Sequence, residues 1–452
     1  MGRTMVVLVA ITVGFLVGER GGVAVFADEP KAPQALPEVL TLDKAVELAL
    51  SNHPSLRVAS GTQAINEALV GQAQAGFYPQ VQGTISKTLR TTNSTSQFSG
   101  SATSTGRQTN GITTGFNSGS VTLNQLLYDF GTIKSQVETA QFNLQAANSD
   151  AETIVQLVVV NVQQAYFGLQ QTQRLVTVNE EAITQFQKHL DLAKGRFKAG
   201  IAPKIDVTTA EVDLSNAQLN LITAKNNALV ARVTLNNAMG IQTTSPYRVQ
   251  DPGQAEPYQV SLDEAVARAM QLRPEMISQR AQERAAEAAI KAAQGNFFPT
   301  VTSSATYTYS GIEFPLVYNW NVNGTVNVPI FSGFLTKQQV AQARANLLKT
   351  KATGDVLRQT ILLEVSQALL NLEAARERLK LTAVTVDQAK ERLALVEGRY
   401  KAGLSNAVEV TDAEVVLVNA LANDVVAMST YQAAKAQLDR AMGINTPVRG
   451  GS

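Results

Sequence analysis

The chain is written twice. Thr41-Leu42-Asp43-Lys44-Ala45-Val46 returns 220 positions on as Ser261-Leu262-Asp263-Glu264-Ala265-Val266. At that offset Pro54 meets Pro274, and Phe77-Tyr78-Pro79 meets Phe297-Phe298-Pro299. Further on the offset is 203: Gly195-Arg196-Phe197-Lys198-Ala199-Gly200 returns as Gly398-Arg399-Tyr400-Lys401-Ala402-Gly403, and Ala238-Met239-Gly240-Ile241 as Ala441-Met442-Gly443-Ile444. The difference of 17 residues lies mostly in 91–116, a Ser-, Thr-, Gly- and Asn-rich stretch of loop composition. Length alone would suggest about three domains. The duplication replaces that expectation with two copies of one unit, at 41–241 and 261–444, joined by a linker at 242–260.

Each copy has the same grammar: helix, two strands, a very long helix, a tip, another helix. No proline occurs between Pro79 and Pro203 or between Pro329 and Pro447. Residues 132–199 and 335–402 therefore read as helices of about 100 Å, far beyond globular length. Val159, Val162, Tyr166, Leu169 and Val176 form a heptad-like seam, with Leu362, Val365, Leu369, Leu372 and Leu379 at the matching positions. Such a seam needs a coiled-coil partner. The helices after the tips, at about 204–239 and 407–442, can provide it.

The strands, expected near 77–90, 117–130, 297–310 and 319–331, alternate with period two. Val81, Gly83, Ile85 and Leu89 share one face; so do Val301, Ala305, Tyr307 and Tyr309, and Trp320, Val322, Gly324, Val326, Val328 and Ile330. Small polar residues fill the opposite faces. Phe77, Tyr78, Tyr128 and Phe130 mark the ends in one copy, Phe297, Phe298, Phe331 and Phe334 in the other. Strands of this length, apolar outward and polar inward with aromatic ends, suit a membrane barrel. A soluble sheet with one wet face reads the same way from patterning alone.

The N-terminus favours the barrel. Arg3 precedes an apolar run from Met5 to Val17, too short to span a bilayer, and Val25-Phe26-Ala27 offers small residues at a cleavage site. Residues 1–27 are expected to be a signal peptide, 28–40 a linker and 445–452 a tail. Later in the chain no long uncharged apolar stretch appears, so a membrane crossing would be made by strands. Open edges are not tolerated in lipid, and four strands cannot close. Two chains would give eight strands and a filled barrel; three would give twelve and an open lumen.

Composition excludes other classes. Lys+Arg 38 against Asp+Glu 37 leaves no charge excess for nucleic acid. There is no cysteine, hence no disulfide, thiolate metal site or lipidated cysteine, and only His53 and His189 could serve a histidine site. His53 before Pro54 reads as a helix-break neighbour. No phosphate loop, nucleophile elbow or zinc helix is present in the sequence. Neither a cofactor nor an enzymatic activity is expected.

These motifs, in this order and twice over, resemble the TolC-like outer-membrane efflux protein family. The resemblance runs from about Thr41 to Ile444, through the Leu-Asp-x-Ala-Val helix openings, the Pro54/Pro274 breaks and the Phe-Tyr-Pro and Phe-Phe-Pro strand entries. Pro329-Ile330-Phe331-Ser332-Gly333 and the two Ala-Gly-Ile/Leu tips complete it. It implies a mainly α protein with a membrane β-barrel: a homotrimer whose 12-stranded barrel continues into a 12-helix α-barrel. It also implies a Gram-negative outer membrane with a large periplasmic portion. The implied partners are further copies of itself, outer-membrane lipid, a periplasmic adaptor and an inner-membrane transporter, proton- or ATP-driven. The role would be exit duct of an efflux pump or type I secretion system. A secreted structural coiled-coil protein is the alternative reading.

The tips carry the candidate site residues. Glu409 and Asp412, spaced i, i+3, share a helix face. A threefold axis would gather six such carboxylates, which repel one another and draw in cations. In the family two acidic residues here form the inner constriction, and they fall on Glu409 and Asp412. Carboxylates also simply suit a first helical turn. In the family an aspartate, a tyrosine and an arginine form a latch between tips. Asp206 and Tyr400 match the first two, while Ser405 holds the arginine's place; Lys204 and Arg399 are the nearby cations. Gly200-Ile201 and Gly403-Leu404 match the adaptor-docking turns, where glycine also lets the chain reverse.

Overall fold

A computed structural model describes residues 38–93, 111–242, 246–250 and 258–444. The expected leader, most of both linkers, most of the 91–116 loop and the C-terminal tail lie outside the described residues.

The first unit runs β1 (Val39–Leu40), α1 (Leu42–Asn52), α2 (Pro54–Gln74), β2 (Gln80–Asn93), β3 (Gly111–Tyr128), α3 (Thr132–Lys198) and α4 (Lys204–Ala238). The second repeats it as β4 (Arg248–Val249), α5 (Leu262–Leu272), α6 (Pro274–Gly295), β5 (Thr300–Gly311), β6 (Val317–Asn327), α7 (Leu335–Lys401) and α8 (Ala407–Ala441). Both units open with the same cap: the Thr41 and Ser261 hydroxyls accept from the amides of Lys44 and Glu264, each at 3.3 Å. Pro54 and Pro274 each stand at a first helical position and split the leading helix in two. His53 sits at the first split, where its Nδ1 accepts from the Ser55 amide at 3.2 Å.

α3 and α7 are each 67 residues, about 100 Å of unbroken helix. The shorter helices stack beside them. A Cβ on Gly240 would meet the His53 Cα at 2.7 Å, and one on Gly443 the Arg273 amide nitrogen at 2.9 Å. The ends of α4 and α8 thus abut the two proline breaks. α4 with α2, and α8 with α6, form two spliced rods alongside the two continuous ones. Both glycines have positive φ, +68° and +76°, so conformation and space both demand glycine.

The seams bury as the heptads require, with one correction. Val159, Val162, Tyr166 and Leu169 are buried in α3. In α7, Val365 and Leu372 are buried but Leu362 is 47% exposed, and the fully buried Ile361 takes its place. Small residues, Ala368 and Ala375, complete that seam and let the neighbouring helices approach. α8 is, among the described residues, the one helix whose length and hydropathy would suit a membrane span. It lies along α7 as a packed rod, with Glu414 near its tip end and Asp424 at its middle.

The four longer strands form one antiparallel sheet in the order β2-β3-β5-β6. The expected boundaries shift. β6 ends at Asn327, so Val328, Ile330 and Phe331 follow the strand, and Phe77 and Phe297 precede theirs. The β2–β3 ladder runs on to Asn93–Gly111, into both ends of the stretch expected to be loop. On the polar face, side chains bond across strands: Ser86 with Ser118 at 2.8 Å, Thr122 with Thr306 at 3.3 Å and Ser304 with Asn323 at 2.5 Å. The other face, interrupted by Lys87, leaves apolar side chains bare: Ile85 93%, Leu89 69% and Trp320 67% exposed. The sheet's outer strands, β2 and β6, each have one unpaired edge.

Sheet and long helix meet through two successive left-handed residues. These are Phe130 and Gly131 before α3, and Gly333 and Phe334 before α7. The repeats keep the bend and exchange which position is glycine. Midway along the rods, β1 and β4 pair in parallel, an element outside the sequence expectation. The buried Tyr166 hydroxyl lies 3.0 Å from the Leu40 carbonyl and 2.8 Å from that of Gln250, fastening both segments to α3.

Candidate functional site

The tips form from a helix-ending signal written twice. The Ile201 amide donates to the Arg196 carbonyl and the Gly200 amide to that of Phe197, both at 3.0 Å. Leu404 to Arg399 at 2.9 Å and Gly403 to Tyr400 at 3.0 Å repeat the pattern. This doubled bond closes a helix on a left-handed residue, and Gly200 and Gly403 have φ +72° and +75°. The turns expose Ile201 by 66% and Leu404 by 71%. Pro203 and Asn406 then cap the returning helices, and the Asn406 Oδ1 accepts from the Glu409 amide at 2.9 Å.

Tyr400 is the buried centre, 2% exposed, packed with Ala407 and Val410. The Arg196 guanidinium stands 4.6 Å from its ring centroid, and Arg196 Nη1 donates to the Tyr400 carbonyl at 2.7 Å. The His189 ring lies 5.7 Å away, centroid to centroid. Burial pushes the Tyr400 hydroxyl pKa up, with Arg196 opposing and Asp206 reinforcing the shift. Arg196 is thus the cation that joins the two tips, and it comes from α3. Sequence reading passed over it; its signal was the basic residue in the last turn of α3, aligned with Arg399. Arg399 itself turns to its own tip, 3.6 Å from Glu409 and 3.3 Å from the Leu404 carbonyl. Lys204 is the exposed first residue of α4. Asp206 approaches Tyr400 without bonding to its hydroxyl, which has no partner in the protomer.

Glu409 and Asp412 differ. The Ser405 hydroxyl donates to Glu409 Oε2 at 2.6 Å, and Arg399 also faces that carboxylate. Asp412 is exposed. A second acidic group lies deeper. Glu414 in α8 is 4% exposed, with Asp213 of α4 and Glu397 of α7 nearby. The Thr411 hydroxyl donates to Asp213 at 3.1 Å, linking α8 to α4. Among the described residues no group of side chains is arranged to hold a metal ion.

Long rods ending in exposed turns, carried on an open sheet with one bare apolar face, define a class: channel-forming subunits of the outer membrane. The sequence profile of the outer membrane efflux proteins matches residues 45–241 and 265–444, both repeats almost in full, and the chain belongs to that family. It is 24% identical over 378 residues to the outer membrane efflux protein BepC of Brucella suis, covering 83% of this chain and 79% of that one. The fold matches the CmeC outer membrane channel of Campylobacter jejuni, with TM-score 0.77, 17% identity and coverage of 91% and 87%. It also matches the open state of the MtrE outer membrane channel of Neisseria gonorrhoeae, with TM-score 0.73, 17% identity and coverage of 92% and 95%. The protein is an outer-membrane efflux channel, a conduit through which material leaves the cell.

Proposed function

We propose that three copies close a twelve-stranded barrel and, below it, a tube of twelve helical rods, forming the exit duct of a tripartite pump or type I secretion system. The observation that carries this reading is the open four-stranded sheet. Its two free edges and bare apolar face belong neither in water nor, unclosed, in lipid. Three sheets joined edge to edge satisfy the edges and leave a lumen. Exposed apolar residues of α4, among them Val212, Leu219, Ile222 and Val233, supply the contacts between neighbouring rods.

The domain plan follows: an exported leader at 1–27, two repeats at 41–241 and 261–444, and an external loop within 91–116. Asp412, seconded by Glu409, rings the periplasmic mouth. Arg196 and Tyr400 hold the tips together, with Asp206 as the nearby acidic member of the latch. The turns at Gly200-Ile201 and Gly403-Leu404 offer apolar knobs to a periplasmic adaptor, which an inner-membrane transporter drives. Adaptor contacts favour the open packing over the closed one.

Mass determination of the detergent-extracted particle is the direct test. Three chains are expected, with step-wise conductance in a planar bilayer. A lone subunit, or a protein that stays folded and soluble without detergent, would overturn the proposal and favour the structural coiled-coil alternative.

A further inference from the structure

Beyond this reading of the tip as a mouth, and resting on it, we propose that Glu414 is a proton-binding element that couples the packing of α8 against α4 to periplasmic pH. Protonated, it holds the two halves of the tip together; ionised, it drives them apart.

Three observations carry the proposal. First, Glu414 is buried where α8 touches α7, α3 and α4, and its Oε2 has no hydrogen-bond partner. A carboxylate left so would be costly in its charged form. Second, the groups around it do not neutralise it. Asp213 of α4 and Glu397 of α7 bear on it directly, with Asp206 and Tyr400 farther toward the turn on the same two helices. α3 contributes His189 and Arg196, both set against the Tyr400 ring. On α8 itself Glu409 and Asp412 lie toward the turn. Among the described residues no cation is paired with Glu414 itself: Arg196 lies on Tyr400, Lys194 is 3.3 Å from Glu211, and Lys401, 3.6 Å from Glu397, faces one of the neighbouring carboxylates. Third, the cluster spans both repeats, so its charge acts across the line along which the tips would part.

Burial first, then the charges of Glu397 and Asp213, lift the Glu414 pKa to about 7. The folded-state value is thus raised above the carboxylate's ordinary one. The closed packing is fully favoured below the ordinary value and weakens as pH rises through about 7. His189 acts in the opposite sense. Burial lowers its pKa, against Asp213, Asp206 and Glu397, so it charges only on the acid side of its ordinary value. A step on the alkaline side therefore belongs to Glu414.

The chain has no native cysteine, so the test can place one spin label on each exposed turn, at Ala199→Cys and Ala402→Cys. Their separation within the detergent-extracted particle is read by pulsed dipolar spectroscopy between about pH 4.5 and 8.5, beside bilayer conductance over the same range. The expected result is a longer, broader distance distribution and a higher leak as pH rises through the step. Glu414→Gln, permanently neutral and similar in shape, should abolish that step. Asp213→Asn, removing one like charge, should move it to lower pH. An unchanged distance across the range, or the same step in Glu414→Gln, would overturn the proposal. The distance readout does not depend on conduction. A particle that never conducts yet shows the Glu414-dependent step would refute the duct and leave the proton site standing.

Discussion

The guanidinium of Arg196 stacks on the ring of Tyr400, 4.6 Å from its centroid, while bonding to that residue's own carbonyl oxygen. One side chain from the first repeat thus caps the last turn of the long helix in the second. A stacked, partly buried cation of this kind is worth about 1–2 kcal/mol, with a further 1–2 from the charged hydrogen bond. Arg196→Ala should therefore loosen the tip and raise spontaneous open-channel events roughly tenfold or more in a bilayer recording. Arg196→Lys should fall between, because an ammonium keeps the charge but loses the planar stack. Equal behaviour of all three proteins would remove Arg196 from the latch.

Gly240 and Gly200 share a left-handed backbone but not their surroundings. Nothing lies within 4 Å of a Cβ on Gly200, whereas one on Gly240 would strike His53. Gly200→Ala should cost about 1–2 kcal/mol, the conformational strain alone. Gly240→Ala should cost about 1–3 kcal/mol more, because the rod splice must also move. Thermal melts of the two variants in one detergent decide it, with the larger drop expected for Gly240→Ala.

If the acidic ring lines the mouth, its two members should not contribute equally. Glu409 is engaged with Ser405 and Arg399, while Asp412 is exposed. Asp412→Asn should reduce cation-over-anion selectivity more than Glu409→Gln, measured as the shift in reversal potential under a salt gradient. An equal effect would mean that the Arg399 contact does not screen Glu409.

Arg273 is 5% exposed in its side chain and pairs with Glu275 at 2.9 Å and Glu364 at 2.5 Å. Burial pushes the Glu275 pKa up, but the hydrogen bond and charge of Arg273 outweigh it and leave it lowered. A depressed carboxylate stabilises above its ordinary value and loses that contribution as pH falls below it. Arg273→Met should destabilise by about 1–3 kcal/mol, since Glu275 and Glu364, 22% and 42% exposed, lose their charged hydrogen-bond donor but keep some solvent. The melting temperature of Arg273→Met should also fall less than that of the parent between pH 5 and 3.

Much of this architecture was legible because it rests on local signals used twice. Thr41 and Ser261 announce helix starts, Pro54 and Pro274 announce breaks, and Gly200 and Gly403 announce reversals. Each works through its own backbone chemistry, so spacing alone located it. Long-range choices were less legible. Leu362 and Ile361 are adjacent and equally apolar, and only the packing of α5, α6 and α8 around α7 decides which faces inward. Arg196 and Arg399 hold the same place in the two repeats, yet one bridges the tips and the other folds back on Glu409. A carboxylate's burial, as at Glu414, depends on three other helices and leaves no mark in its own neighbourhood of sequence.

The splices at Gly240 and Gly443 make two of the four rods articulated. Along α3 and α7 an unbroken hydrogen-bond ladder ties turn to sheet, so any displacement there is a bending load. Along α4 and α8 the ladder stops at mid-height, so a load on the lower segment crosses to the upper one only through the close packing at the glycine. Of the four rods, two therefore carry a push at the mouth straight to the strands, and two hand it on only through packed contacts.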